Sequence, residues 1–83
     1  MTRSRHNIYM ERAILKTFAD RLRLEMTQNK IKNINDFSKK TKIPRSTISA
    51  WLNLNRSPQI DSLVIIAKFF EVSIDYLLGL QDV

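Results

Sequence analysis

The sequence predicts an all-α fold of five helices packed into one compact domain. Apolar residues recur at helical spacing along most of the chain, and strand-like alternation is absent. The 83 residues suffice for one domain with a modest core, and a single glycine and two prolines leave few breaks. The first residues are polar and basic. We therefore expect a flexible basic arm over residues 1–8 and a single domain over residues 9–83.

The first predicted helix runs from about Tyr9 to about Asn29. Charged side chains occupy one face of this segment, and apolar side chains repeat along the other. A stripe of this kind is the face that a helix buries, so we expect its members to enter the core. The stripe comprises Ile14, Phe18, Leu22 and Met26 at every fourth position, with Leu15 and Ala19 beside them.

A short second helix is predicted to begin after Asn33. Asparagine is a favourable N-cap, and the carboxylate of Asp36 would lie in the first turn, where the helix dipole favours a negative charge. One side of this helix is apolar or small, whereas Lys39 and Lys40 point away from it. The inward side comprises Ile34, Phe37, Ser38 and Thr41.

A third helix is predicted from about Pro44 to Leu52 or Asn53. Proline is tolerated in the first turn of a helix, because the N–H that it lacks has no intrahelical partner there. It also pushes the preceding residue, Ile43, out of the helical region. The apolar side of this helix comprises Ile48, Trp51 and Leu52, and the outward side comprises Arg45, Ser46, Ser49 and Ala50.

The last third of the chain predicts two more helices after a polar loop over residues 53–58, whose asparagines tolerate the left-handed conformation that ends helices. The fourth helix covers about Ile60 to Phe70. The fifth begins after the N-cap Ser73 and stops at Gly79. The inward side of the fourth helix comprises Leu63, Ile66, Ala67 and Phe70.

Positive charge is concentrated in the middle of the chain. The net charge is +6, and residues 30–56 carry seven basic side chains against one acidic side chain. Residues 57–83 carry one basic and four acidic side chains. A basic patch of this kind favours a polyanionic partner such as nucleic acid.

Several classes of function conflict with the composition. The chain has no cysteine and a single histidine, which excludes disulfides, thiolate metal sites and histidine-rich metal sites. No nucleophile lies at a plausible spacing from a base, and there is no glycine-rich phosphate loop. We therefore expect no enzymatic activity, cofactor or metal. Because the sequence has neither a secretory signal nor a membrane-length apolar stretch, we expect a cytoplasmic protein.

The second and third helices carry the functional signal. An α-helix fits the major groove of DNA, which is about 12 Å wide. The small side chains of Ser46, Ser49 and Ala50 would let the third helix approach the base edges, and Arg45 could then bind a guanine bidentately. Cations from the second helix and the turn can contact backbone phosphates beside it. These cations are Lys39, Lys40 and Lys42.

The segment INDFSKKTKIPRSTISAWLN over residues 34–53 resembles the helix-turn-helix of the phage Cro/repressor family, the XRE-type regulators. The segment RSPQIDSLVIIAKFFEVSIDYLLG over residues 56–79 resembles the fourth and fifth helices of that family. The resemblance covers about residues 14–80, nearly the whole chain. Family members often have glycine where this chain has Lys42 and Leu54, and alanine where it has Ser38.

The resemblance implies a role for individual residues. Base reading falls to Arg45, Ser46, Ser49 and Ala50. Contacts with the sugar-phosphate backbone fall to Asn33, Asn35, Asn53, Asn55 and Arg56. Ile48 and Trp51 match core positions. The family fold thus implies a sequence-specific regulator that binds double-stranded DNA through its third helix.

We expect the protein to act as a homodimeric repressor. The predicted dimer contact lies on the fifth helix and the tail, with Ile8, Tyr9 and Met10 as a competing patch. An alternative stays open: a protein-interaction module, or an antitoxin that binds a protein partner, built on the same fold. RNA binding is a weaker third possibility, because no outward aromatic platform occurs. The predicted dimer residues are Ile74, Leu78, Leu80 and Val83.

Overall fold

The computed structural model describes residues 8–82, with side chains from residue 11 onwards, and forms five α-helices without a strand in that range. The all-α prediction is confirmed. Residues 1–7, which include most of the predicted arm, and Val83 lie outside the described part. Between residues 8 and 82, no helix has both the length and the apolar character needed to cross a bilayer. The helices are α1 (Ile8–Gln28), α2 (Ile34–Thr41), α3 (Arg45–Leu52), α4 (Ile60–Phe70) and α5 (Ile74–Leu78).

The core forms where α1 packs against α3 and α5. Phe18 of α1 meets Trp51 of α3 edge to face, with 5.7 Å between the ring centroids. Such aromatic pairs add about 0.5–1.5 kcal/mol to the burial of their area. The predicted inward sides of α3 and α4 are all buried. The largest fully buried side chains are Trp51, Phe18, Phe37, Leu22, Ile48, Ile66 and Leu77.

A second aromatic cluster holds α2 against α4. The ring of Phe37 stacks on Phe70 at a centroid distance of 5.4 Å and meets Phe69 edge to face at 5.6 Å. Phe37 is fully buried, whereas Phe69 remains 37% exposed at the edge of the cluster. The cluster fixes α2 on the body of the protein and so determines where the turn into α3 begins.

Five of the six residues predicted for the buried stripe of α1 lie in the core, but Ile14 does not. Its side chain is 37% exposed, whereas the adjacent Leu15 is buried. A repeat of four residues drifts by about 40° per step around a helix of 3.6 residues per turn. The stripe that begins at Ile14 therefore leaves the core at its N-terminal end. Ile14 lines an open groove with Pro58 and Leu78 instead.

The predicted caps begin and end the helices as expected. The side chain of Asn33 accepts a hydrogen bond from the N–H of Asp36, and that of Ser73 accepts one from Tyr76, both at 2.9 Å. Gly79 ends α5 in the left-handed conformation. Pro44 is the N-cap of α3, so the helix begins one residue later than predicted.

The α1–α5 contact combines apolar packing with buried polar groups. The guanidinium of Arg21 lies 4.5 Å from the ring centroid of Tyr76 and donates to the backbone carbonyls of Tyr76 and Gln81. The hydroxyl of Tyr76 donates to the carboxylate of buried Glu25 at 3.1 Å. Burial, and then the Glu25 carboxylate, raise the pKa of Tyr76 above its usual value of 10.0. The phenol therefore remains a protonated donor at neutral pH.

Residues other than glycine follow four of the helices in the left-handed conformation. Lys42 has φ 66° and Leu54 has φ 63°, at the two positions where the resembling family often has glycine. Asn53, by contrast, has φ −91°, so the expectation that asparagines of this loop supply the left-handed residue is wrong. Leu54 adopts the conformation because its half-buried side chain packs against the core. The other left-handed residues are Lys30 and Glu71.

Replacement of Lys42 by glycine should stabilise the fold. Lys42 is exposed and left-handed, so Lys42→Gly relieves backbone strain and removes no packing. We expect the free energy of unfolding to rise by about 0.5–1 kcal/mol and Tm by about 2–8 °C in thermal unfolding followed by circular dichroism. The matched control is Lys39→Gly inside α2, which should lower stability by about 1 kcal/mol. A lower Tm for Lys42→Gly would show that the left-handed lysine costs nothing.

Candidate nucleic-acid interface

The outward face of α3 is fixed by the burial of its opposite face. Because Ile48, Trp51 and Leu52 are buried, the predicted base-reading positions 45, 46, 49 and 50 share the opposite side of the helix. Arg45 and Ser46 are exposed, and Ser49 and Ala50 are half-buried. The structure thus brings the four predicted residues onto one face. On that face, one long cationic side chain at the start of the helix is followed by three small side chains.

The turn between α2 and α3 is held by short hydrogen bonds. The N–H of Lys42 donates to the carbonyl of Ser38 at 2.8 Å, and the hydroxyl of Ser38 donates to the carbonyl of Ile43 at 2.6 Å. Ser38 occupies a position where the resembling family often has alanine, and its hydroxyl adds a hydrogen bond that joins α2 to the turn. The position of α3 relative to α2 is fixed by this turn.

Asp36 is the one acidic side chain among the cations of this region. Its carboxylate accepts from the ammonium of Lys40 at 2.7 Å and from the backbone N–H of Lys32 at 3.1 Å. The Lys40 bond, and then the Lys32 bond, hold the pKa of Asp36 below its usual value of 3.8. Lys40 is consequently paired, whereas Lys39 has no ion pair within residues 11–82.

Two residues predicted to have different roles are joined directly. A guanidinium N–H of Arg45, at Nη1, donates to Oδ1 of Asn35 at 2.9 Å. The bond crosses from the first turn of α2 to the first residue of α3. Sequence reasoning placed Asn35 on the sugar-phosphate backbone and Arg45 on a base, and gave no sign of a contact between them.

The remaining predicted phosphate contacts lie at the two ends of the α2–α3 unit. The side-chain oxygen of Asn33 is occupied as the N-cap of α2. Asn53, at the end of α3, donates from Nδ2 to the hydroxyl of Ser49 at 3.3 Å. Asn55 and Arg56 are exposed in the following loop. The N–H of Asn55 donates to the carbonyl of Ala50 at 2.8 Å, which ties the loop to α3.

A cleft between α1 and α3 adds two cations that sequence reasoning missed. Arg23 and Lys32 line this cleft together with Arg45, around an apolar floor that includes Met26 and Leu52. Arg23 was predicted only as part of the polar face of the first helix. Lys32 could have been identified from the sequence, because it precedes the N-cap Asn33 and the start of a helix attracts anions. We call this the α1 cleft.

A second cleft lies between α3 and the start of α4. Lys42 and Arg56 line it, with Thr47 and Trp51 from α3 and Gln59 from the start of α4. The indole Nε1 of Trp51 is buried and has no hydrogen-bond partner among residues 11–82. We call this the α4 cleft. It brings together two cations that are far apart in the sequence.

The two clefts flank α3 on opposite sides. Arg45 and Leu52 line the α1 cleft and are seven positions apart, so they share one edge of the helix. Thr47 and Trp51 line the α4 cleft and lie on the other edge. The arrangement is a polar helix face with cations on both sides, which suits a groove between two rows of phosphates. Within residues 11–82 no cluster of acidic, histidine or cysteine side chains could hold a metal.

The predicted dimer residues are placed unequally. Ile74 and Leu78 are half-buried and pack against the core, so part of their apolar surface is already covered. Leu80 is 68% exposed. Val83 lies outside the described residues. Leu80 is therefore the most exposed of the three predicted dimer residues that the structure describes.

The chain matches the helix-turn-helix family over residues 19–77, from the middle of α1 to α5. A protein of Bacillus subtilis strain 168, named an uncharacterized HTH-type transcriptional regulator, YobD, is 32% identical over 65 residues. The matched region is 78% of this chain and 57% of the relative, so the chain spans little more than half of the relative's length. No solved structure matches the chain.

Proposed function

The chain belongs to the helix-turn-helix family of DNA-binding transcriptional regulators, and on that premise we propose that it is a cytoplasmic repressor of a specific operator. The observation that carries the proposal is the polar face of α3 between the cation-lined α1 and α4 clefts. Phosphate contacts position a protein on DNA, and base-edge contacts specify the sequence. The chain provides side chains of both kinds in one surface.

In the proposed complex, α3 lies in the major groove. Arg45 leads the helix and reaches O6 and N7 of a guanine, the commonest base-specific contact of arginine. Ser46, Ser49 and Ala50 are small enough to let the backbone of α3 approach the base edges. Arg23, Lys32 and Asn33 bind phosphates on one side of the groove. The phosphates on the other side are bound by Lys42, Asn53, Asn55 and Arg56.

We propose further that the repressor binds as a homodimer. Two-fold dimers of helix-turn-helix domains read half-sites about 34 Å apart, which is one turn of DNA. The C-terminal third of the chain carries net negative charge, so it favours a position away from DNA. Exposed Leu80, with the remaining surface of Ile74 and Leu78, supplies the apolar contact there.

Selection of bound duplexes from a random DNA pool, at near-physiological salt, tests this function. We expect enrichment of a short inverted repeat with half-sites one helical turn apart, because a two-fold dimer reads two equal sites. Enrichment of an isolated half-site would support sequence-specific DNA binding and contradict the proposed homodimer. If no sequence is enriched and binding is weak and salt-sensitive, operator recognition is wrong. A protein-interaction role would then be the better account.

The two neighbouring lysines of α2 should differ in their contribution to DNA affinity. Lys39 has no ion pair within residues 11–82, whereas Lys40 is paired with Asp36 at 2.7 Å. We expect Lys39→Ala to reduce the slope of log K against log salt by about 0.9, the value for one phosphate contact. Lys40→Ala should reduce the slope by clearly less, because in the wild-type protein the ammonium of Lys40 is paired with the carboxylate of Asp36 and not with a phosphate.

Lys68→Ala on α4 is the matched control for this pair. Lys68 is exposed on α4, outside the α2–α3 unit, so its removal should leave the slope unchanged. Fluorescence anisotropy of a labelled duplex, measured at a series of salt concentrations, gives all three slopes. A larger loss for Lys40→Ala than for Lys39→Ala would mean that the Asp36 pair opens in the complex.

A further inference from the structure

The hydrogen bond between Asn35 and Arg45 connects the two helices of the DNA-reading unit. Oδ1 of Asn35 accepts from Nη1 of Arg45 at 2.9 Å. Within residues 11–82, neither side chain has another hydrogen bond or an ion pair. The bond therefore serves neither the cap of α2 nor the turn between the helices, which have their own hydrogen bonds.

The chemistry of the two groups determines which atoms meet. A guanidinium has only donors, so the oxygen of the Asn35 amide must face Arg45 and the amide NH2 must face away. A single acceptor occupies one of the five N–H groups of the fork. The other donors of Arg45 remain for a base.

The bond to Asn35 restricts the rotamers of the exposed Arg45 side chain, and this restriction favours base recognition. Bidentate recognition of guanine requires the guanidinium plane to lie in the plane of the base, and a long side chain loses rotamer entropy on reaching it. An acceptor that holds the fork before binding reduces that loss. Asn35 is itself well held, because Asn33 and Asp36 close the first turn of α2 through bonds of 2.9 Å and 3.1 Å.

We propose that Asn35 is a positioning residue that sets the base preference of Arg45, an inference that rests on the proposed function. Asn35 acts through its carbonyl oxygen on Arg45 and not on the DNA. This role differs from the phosphate contact that the family resemblance implies for the same position. The two roles predict different patterns of affinity across duplexes, so they can be separated.

The test uses Asn35→Ala, Asn35→Asp and Arg45→Ala on the selected operator and on duplexes with single base changes. Arg45→Ala identifies the base position that Arg45 reads, as the position at which preference is lost. At that position Arg45→Ala should reduce the preference by about fivefold or more, since a bidentate contact discriminates by about 1–3 kcal/mol. We expect Asn35→Ala to reduce the same preference by a measurable fraction of that loss. Preference at the other positions and the salt slope should stay unchanged.

Asn35→Asp provides the rescue variant. Its carboxylate retains an acceptor for Arg45 and adds one negative charge, so all duplexes should bind more weakly while the base preference is kept. In the Arg45→Ala background, Asn35→Ala should have no further effect on preference. Thr41→Ala controls for general loosening of α2 and of the turn that follows it. It removes the hydroxyl that donates to the Phe37 carbonyl at 2.8 Å and accepts from the N–H of Ile43 at 3.3 Å, while leaving the Asn35 side chain in place.

Three results would overturn the inference. Equal weakening of every duplex by Asn35→Ala would show a phosphate contact in place of positioning. Relaxed preference at the same base in Thr41→Ala would show that α2 stability, and not the bond to Arg45, is responsible. An unchanged base preference in Asn35→Ala would show that Arg45 recognises its base without the hydrogen bond to Asn35. A wild-type protein that enriches no sequence would instead overturn the proposed function together with this inference.

Discussion

The burial of Trp51 and Ile48 in the core is the constraint on which the site depends. Both side chains are fully buried, and the Trp51 ring meets Phe18 at 5.7 Å. A short helix of eight residues has little stability alone, so tertiary packing determines its presence and its rotation. Once Trp51 faces the core, Arg45 and Ser49 must face outward. A rotation of α3 that exposed Trp51 would remove the reading face and the two clefts together.

Charge placement follows from the same arrangement. Apart from Arg45, the cations that line the two clefts come from α1, the loop before α2, the turn before α3 and the loop after α3, yet they lie on both sides of one helix. Asp36 moderates this surface by pairing with Lys40 and by closing the start of α2. The pKa of the Asp36 carboxyl is lowered, so the group is ionised at physiological pH and is available to pair with Lys40 under the conditions of DNA binding. The proposed interface is therefore less basic at Lys40 than the sequence suggests.

Local signals predicted most of the fold. Asn33, Ser73 and Gly79 have local chemistry that begins or ends a helix, and each does so here. Long-range packing determined what the sequence could not show. Ile14 has the right spacing for the core but lies at its edge, and Leu54 adopts a left-handed conformation that its packing compensates. The same limit applies to the site, where the Asn35–Arg45 bond joins residues ten positions apart and depends on the angle between two helices.

The proposed binding of α3 in the major groove is tested most directly by NMR, with backbone amide shifts mapped when the selected duplex is added to the labelled protein. We expect the largest changes over residues 32–36, 42–50 and 53–57, with small changes over α5. This pattern corresponds to α3 in the major groove with phosphates in the two flanking clefts. Changes concentrated on α5 and the N-terminal half of α1, with α3 unaffected, would contradict it.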